Sequence, residues 1–389
     1  MSPGRSSLSM KISHIDTLVV RAGWLNYTFV KVHTDEDLYG VGQAYSAGPD
    51  QAVVEVIHDF ETWLVGQDPR NIEHLWALMY NGTRFPPGVV VAGALSGIEH
   101  ALWDIKGKAL GVPVYQLLGG KCRERVRVYP MPGGNSPEEM AASALRLIQS
   151  YGYTAVKIVP QPAGYAAMPA NALVRAVARC MEAVRLAVGP DIDIAVDLHA
   201  RTNEPAVALA LIAAITPYQP LFVEEPIRPE NVDALARIKA KASVPIAAGE
   251  NLYTKNQFRE LLQRQAVDIV QPDACGTGGL LEMKKIAAMA EASYVSVAPH
   301  VSLGPVATAI NMHFAASTPN FIGFDHQPDD RPPLRDLVID PIRLKDGYLE
   351  LPDKFGLGIE LNEEVFAADP PGRWRRPTPA RADGSLGMH

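Results

Sequence analysis

Three acidic residues stand where their spacing can do chemistry. They are Asp197 in Val196-Asp197-Leu198-His199-Ala200-Arg201, Glu224 in Phe222-Val223-Glu224-Glu225-Pro226, and Glu250 in Ala248-Gly249-Glu250-Asn251. They lie 27 and 26 residues apart, about the length of one strand-plus-helix unit. Each follows a short apolar run, 192–196, 221–223 and 245–248, of the kind that forms a strand buried on both faces. In a closed barrel neighbouring strand ends converge on one mouth, so the three carboxylates would meet there. Carboxylates held that close repel, and desolvation adds to the cost of keeping them ionised. A hard cation relieves both, and all-oxygen ligation favours Mg²⁺ over zinc or copper. Three unrelated helix caps are the plainer alternative. They leave the regular interval unexplained, and also His199, two residues beyond the first acid.

Two further strand ends bring a different pair to the same rim, Gln271-Pro272-Asp273 and Ala298-Pro299-His300. An Asp bonded to one ring nitrogen of a His fixes the tautomer and raises the basicity of the other nitrogen. A general base at neutral pH needs that arrangement, so His300 with Asp273 is the candidate.

The elements that must position these residues are legible as alternation. Strands are predicted at 126–129, 155–159, 193–196, 221–223, 245–248, 269–271, 295–298 and 321–324. Helices are predicted between them at 137–151, 170–188, 205–215, 232–242, 255–264, 280–292 and 304–317. Eight strands with seven intervening helices predict an α/β fold, a (β/α) barrel rather than an open sheet. Ahead of it lie three strand-like runs, 15–20, 28–32 and 39–43, then helical patterns at 51–64, 72–80 and 91–110. Strands followed by helices predict an α+β domain. Gly276-Thr277-Gly278-Gly279 lacks the spacing of a dinucleotide fingerprint and reads as a place where a helix approaches the barrel closely. The predicted layout is an extra or disordered N-terminus over 1–10, an α+β domain over 11–120, the barrel over 121–330, and a segment over 331–389 that returns to the first domain.

Composition narrows the partners. A chain of 389 residues is long enough for two cores, and 47% apolar with 20% charged residues is ordinary for a soluble globular protein. A net charge of −7 argues against nucleic acid and anionic membranes as partners. An anionic small molecule stays open, because a buried cation reverses the local field. Three widely separated cysteines, Cys122, Cys180 and Cys275, suit reduced thiols in a cytoplasmic protein. No apolar run approaches the length of a membrane span, and the first ten residues lack the apolar region of a signal peptide.

In order along the chain, ALWDIKGK (101–108), VDLHAR (196–201), LFVEEP (221–226), AAGEN (247–251), QPD (271–273), APHVSLGP (298–305) and FGLGIEL (355–361) carry a resemblance. Together they resemble the enolase superfamily, mandelate racemase subgroup, over residues 11 to 375, and within it the acid-sugar dehydratases of the D-galactonate type. The resemblance implies a (β/α)7β TIM-like barrel under an N-terminal α+β capping domain, completed by the C-terminal segment. It also implies a Mg²⁺ cofactor and a homo-oligomer. By the same resemblance Asp197, Glu224 and Glu250 are the metal ligands and His300 is the base. His199 then protonates the departing β-hydroxyl of a sugar acid, giving a 2-keto-3-deoxy acid. The pairing of a His base with Mg²⁺ is a known property of this superfamily.

Two positions depart from the subgroup. Its racemases carry Lys-x-Lys at the second strand end, whereas this chain reads Lys157-Ile158-Val159 and lacks the opposite-face base. Lys157 is left as a substrate contact. The eighth strand of the subgroup ends in Glu, but here it ends in Asp325, one methylene shorter, followed by His326 as a possible substitute. Substrate choice is expected in the loops 21–27 and 45–50, where Trp24 and Tyr45 could cover the ligand. A cycloisomerase or epimerase acting on a related sugar acid or lactone is the alternative activity. A non-catalytic superfamily member is the alternative of another class.

Overall fold

Residues rich in Ile, Val and Thr near the start form an antiparallel meander: β1 (Ile12–Ala22), β2 (Leu25–Thr34) and β3 (Tyr39–Ala44). The computed structural model describes residues 10–23, 25–45, 49–366, 371–373 and 378–387. Of the expected N-terminal tail over 1–10, residues 1–9 lie outside the described residues, as does the expected substrate contact Trp24, whereas Met10 is buried in the hydrophobic core. Helices Asp50–Leu64, Ile72–Gly82 and Val89–Leu110 complete the capping domain. The last is buried along most of its length because it lies directly on β3. Gly40 and Gly42 permit that contact: a Cβ on either would stand 2.0 or 1.9 Å from a backbone carbonyl oxygen, of Ala101 or Gly97.

The barrel strands are β4 (Arg125–Tyr129), β5 (Ala155–Ile158), β6 (Asp193–Asp197), β7 (Phe222–Glu224), β8 (Ile246–Ala248), β9 (Ile269–Val270), β10 (Ser296–Val297) and β11 (Phe324–Asp325). Strands β5 to β10 form one parallel sheet in sequence order, and β11 pairs in parallel with β4. Backbone bonds join the two sheets. Lys157 N–H donates to Pro130 C=O, linking β5 to the end of β4, and Val297 exchanges bonds with Asn320 and Ile322 on the approach to β11. The eight parallel strands thereby run in a circuit. Strands β9 and β10 are shorter than the sequence suggests, because Pro272 and Pro299 follow and cannot donate to a ladder.

Tyr129, Ala155, Ala195, Phe222, Ala247, Ile269 and Ala298 form one buried cluster. Each comes from a different barrel strand or its end, so together they fill the interior. Small alanines leave room for two large rings, Tyr129 and Phe222, which meet edge to face at 6.3 Å. Because side chains alternate along a strand, the residues two positions further on share the inward direction. Among them are Lys157, Asp197, Glu224, Gln271 and His300.

Helices Pro137–Tyr151, Ala170–Val188, Pro205–Ile215, Val232–Lys239, Thr254–Gln263, Leu280–Ala292 and Gly304–Ala316 separate the strands as expected. The first begins at an N-cap, Ser136, whose hydroxyl accepts from Glu139 N–H at 3.2 Å, with proline at the first helical position.

The C-terminal segment touches both domains. Its hairpin, β12 (Leu344–Lys345) and β13 (Tyr348–Glu350), extends β4 on the antiparallel side. Residues beyond it reach the capping domain: Leu357 N–H donates to Asp104, Tyr39 hydroxyl to Glu360, and Lys31 to Glu363. Phe366 stacks on Phe29 at 5.7 Å. Among the described residues no helix is long and apolar enough to cross a membrane.

Candidate active site

The register of the parallel sheet does the first part of the assembly. Asp197 and Glu224 are direct partners between β6 and β7, so their carboxylates emerge side by side at the strand ends. Glu250 follows β8 after Gly249, whose φ of 138° turns the chain at that point. One oxygen from each of the three carboxylates lies within 4.8 Å of the others. Asp197 and Glu224 are buried, and Glu250 stands nearer the opening.

The electrostatics are those of charges in want of a counterion. Burial pushes the Glu224 carboxyl well above the usual range; Asp197, Asp325 and Glu250 push it further, while Lys157 opposes them. Burial also works against ionisation of Asp197, yet His199, Lys157 and a backbone bond hold its carboxyl below the ordinary value. That bond comes from His199 N–H to Asp197 Oδ1 at 2.7 Å. Glu250 Oε2 and Asp325 Oδ1 are buried without a hydrogen-bond partner. Three converging carboxylates, with Glu250 Oε2 unmatched, fit a hard divalent cation, and the donor set is all oxygen.

Lys157, expected to contact substrate, has another environment. Its side chain is 1% exposed, and Nζ lies 2.9 Å from both oxygens of Glu224 and 2.9 Å from Asp325. It is 3.7 Å from Asp197. Its charge therefore balances the floor of the cluster. Asp325, the shorter substitute for the usual Glu, is bound into the same group and also accepts from Val301 N–H at 3.3 Å.

His300 and Asp273 meet as expected, with Nδ1 2.8 Å from Oδ2. A carboxylate only accepts, so Nδ1 carries the hydrogen and Nε2 is left toward the mouth. Asp273 is itself fixed, since its other oxygen accepts from Cys275 N–H at 2.7 Å. Burial disfavours the imidazolium, but Glu250, Asp273 and Asp325 outweigh it and raise the pKa of His300 to about 10. Glu250 Oε2 lies 3.5 Å from His300 Nε2, so a cation on Glu250 would weaken that effect.

His199 has its Nδ1 3.4 Å from Asp197 Oδ2, and burial lowers its pKa. Its backbone is left-handed, with φ 52°, and so is that of Ala200, at 51°. The turn is held from β7 by Leu198 N–H to Glu224 C=O and by Ala200 N–H to Glu225 C=O. His199 and His300 thus come from different strands onto one opening. The Tyr45 ring lies 6.5 Å from that of His300, and Tyr45 N–H donates to Cys275 C=O, which anchors the capping loop to the rim. His326 is not brought to the cluster. Its Nδ1 is 2.7 Å from the Tyr153 hydroxyl and its Nε2 faces Asp329 at 4.0 Å.

Two residues escaped the sequence reading. Glu225 is buried, and its Oε1 accepts from Gly249 N–H at 2.9 Å, fixing the turn that carries Glu250. Its sequence signal is the doubled acid of Phe222-Val223-Glu224-Glu225-Pro226. Gln271 is fully buried on the inward ring, with both amide atoms unpartnered. It sits in the same tripeptide as Asp273 and was overlooked beside it.

Comparison with known proteins adds to this geometry. Residues 15–119 match the family described as mandelate racemase / muconate lactonizing enzyme, N-terminal domain, and residues 139–365 match enolase C-terminal domain-like. The chain is similar to D-galactonate dehydratase of Variovorax paradoxus, 38% identical with 97% of this chain and 99% of that protein covered. It is similar at 37% to the D-galactonate dehydratase of Ralstonia nicotianae, over 97% and 99%. Among solved structures, an enolase from Agrobacterium radiobacter, a candidate galactarate dehydratase with bound sodium and L-malate, superposes with a TM-score of 0.93. It is 38% identical, with 97% of this chain and all of the other covered.

Proposed function

The chain belongs to the mandelate racemase / muconate lactonizing enzyme family of the enolase superfamily, and from that premise we propose a residue-level account of its chemistry. It is a hydro-lyase that dehydrates a sugar acid, and the proposed substrate is a galactonate-like aldonate. Asp197, Glu224 and Glu250 would hold Mg²⁺, which supplies Lewis-acid stabilisation of the charge that develops on the substrate carboxylate. His300 takes the α-proton on Nε2, with Asp273 keeping the ring in the correct tautomer. His199 gives a proton to the β-hydroxyl as the carbon–oxygen bond breaks, so water leaves and the enol relaxes to a 2-keto-3-deoxy acid. Tyr45 covers the His300 side of the opening.

One observation carries this reading: a carboxylate-oriented imidazole and a second imidazole reach the same mouth from different strands, beside three converging carboxylates. The epimerase alternative needs a second base on the opposite face. Val159 offers none, and Lys157 is committed to Glu224 and Asp325.

The domain limits 1–10, 11–120, 121–330 and 331–389 belong to the same reading, and the family match over 15–119 supports the boundary near 120. Assembly as a homo-oligomer is supported by the family resemblance. Residence in the cytoplasm is supported by the cysteines, all three of which are free.

The test is a screen of aldonates and aldarates with Mg²⁺ for 2-keto acid formation, followed by exchange in D₂O. His300→Asn is expected to lose both dehydration and α-proton exchange. His199→Asn is expected to lose dehydration while still exchanging the α-proton with retained configuration. Exchange that survives in His300→Asn removes His300 from the role of base, and inversion in His199→Asn transfers the reading to an epimerase.

A further inference from the structure

The capping sheet carries a second group of metal-ligating side chains. His14 on β1 stands directly across from His33 on β2, and Asp16 follows two residues along the same face. The ladder is irregular between Ile12 and His14, a feature that re-aims side chains. Both imidazoles turn the same nitrogen to one oxygen: Asp16 Oδ2 is 3.0 Å from His33 Nε2 and 3.9 Å from His14 Nε2. The rings stack at 4.2 Å with planes 5° apart. One candidate ligand atom from each of the three residues lies within 4.8 Å of the others.

The surroundings suit a cation. Ser13 Oγ lies 3.0 Å from His14 Nδ1, where it can accept that ring's N–H and leave the lone pair on Nε2. The nearby charge of Lys31 is drawn elsewhere, 2.6 Å from Glu363 and 4.4 Å above the Tyr39 ring. Two imidazoles and one carboxylate are a borderline donor set, which prefers zinc, cobalt or nickel to magnesium.

We propose that His14, Asp16 and His33 form a divalent transition-metal site on the capping sheet, distinct in chemistry from the all-oxygen cluster at the barrel mouth. Water completes the coordination. The His14 side chain is 53% exposed, so its ring turns to converge on an ion without disturbing buried groups. The same exposure sets a modest affinity. An ion here pins β1 to β2 at the end of the ladder remote from the turn between Ala22 and Leu25, and stabilises the folded chain by mass action. The inference is independent of the proposed function.

It is tested on tag-free, full-length protein in excess Mg²⁺, titrated with Co²⁺ by visible absorption and with Zn²⁺ by calorimetry. His14→Ala and His33→Gln are each expected to bind one equivalent fewer than the parent and to lose the rise in unfolding temperature that Zn²⁺ gives it. Asp16→Asn is expected to bind that equivalent at least tenfold more weakly. Dehydration rates stay unchanged in all three, because none of these residues belongs to the proposed active site. Equal stoichiometry in parent and both His variants overturns the proposal, as does a parent that takes no Co²⁺ or Zn²⁺ beyond the barrel-mouth site.

Discussion

Two sets of buried carboxylates, one under the capping helix and one in the barrel mouth, have opposite surroundings. Glu99 accepts from Leu280 and Leu281 N–H, both at 2.9 Å, and from Trp103 Nε1 at 2.6 Å. Asp104 accepts from Val41 N–H at 2.9 Å and Leu357 N–H at 2.7 Å, and pairs with Lys108 at 2.8 Å. Each stitches the capping helix to other segments and has donors for both oxygens. At the mouth, Asp197, Glu224, Glu250 and Asp325 face one another, with a single buried ammonium among them. The first set is committed to holding segments of the fold together. The second keeps its charge for a ligand.

The contrast can be broken by substitution, and the largest effect is expected at the mouth. Glu224→Gln should lower kcat/KM by at least about a thousandfold, the scale on which electrostatic stabilisation of a transition state operates. The metal-free variant should be as stable as the parent or more so, because one like charge is removed from a repelling group. Chemical denaturation and steady-state kinetics measure both, and a variant that unfolds would place Glu224 with the stitching acids. Chelation should act in the same direction, abolishing turnover while circular dichroism stays unchanged. Next in size, Asp104→Ala leaves two buried N–H groups without an acceptor and should cost about 1–3 kcal/mol of stability per orphaned group. Its folded fraction should keep most of its turnover, so a pure loss of activity would refute the division.

A smaller effect tests Glu99 through pH. Burial raises its pKa from 4.5 to about 8, so between those values the folded chain holds a proton that the unfolded chain has lost. Stability should therefore fall as pH rises from about 4.5 to about 8, and the slope should flatten in Glu99→Gln. Urea midpoints of both proteins at pH 5 and pH 8 measure it. An identical slope in the two would show that another group carries the dependence. The least effect is expected from Tyr45→Phe, a few-fold rise in KM with kcat nearly unchanged, because the ring, 6.5 Å from that of His300, stays in place when its hydroxyl is removed.

The sequence made the mouth legible because its chemistry recurs at a fixed position in each strand-plus-helix unit. Asp197, Glu224, Glu250, Asp273 and His300 all stand just where an apolar run stops. Period and breaker residues mark that position without any knowledge of tertiary contacts. What stayed hidden depends on contacts distant in sequence. Lys157 looks like a substrate ligand until β7 and β11 bring Glu224 and Asp325 around it. The pairing of the hairpin β12–β13 with β4 joins residues more than two hundred positions apart. His326 follows an inward residue on a strand, and only the presence of Tyr153 shows which way its ring is drawn. The stitching role of Asp104 was equally out of reach, since Leu357 lies at the far end of the chain.

The left-handed turn at His199 and Ala200 has a consequence for how this enzyme could change. Its backbone is held by the carbonyls of Glu224 and Glu225, so the proposed proton donor and a proposed metal ligand hang from the same short piece of β7. Any substitution that shifts this strand displaces both together, and a helpful move for one is a random move for the other. Variation in that stretch is therefore mechanically locked. The loop at Tyr45 hangs instead from the capping sheet, and Tyr45 N–H donates to Cys275 C=O on the rim. Drift toward a new substrate has an open route there, where a residue can be exchanged against the ligand while the proposed donor, base and cation ligands stay in place.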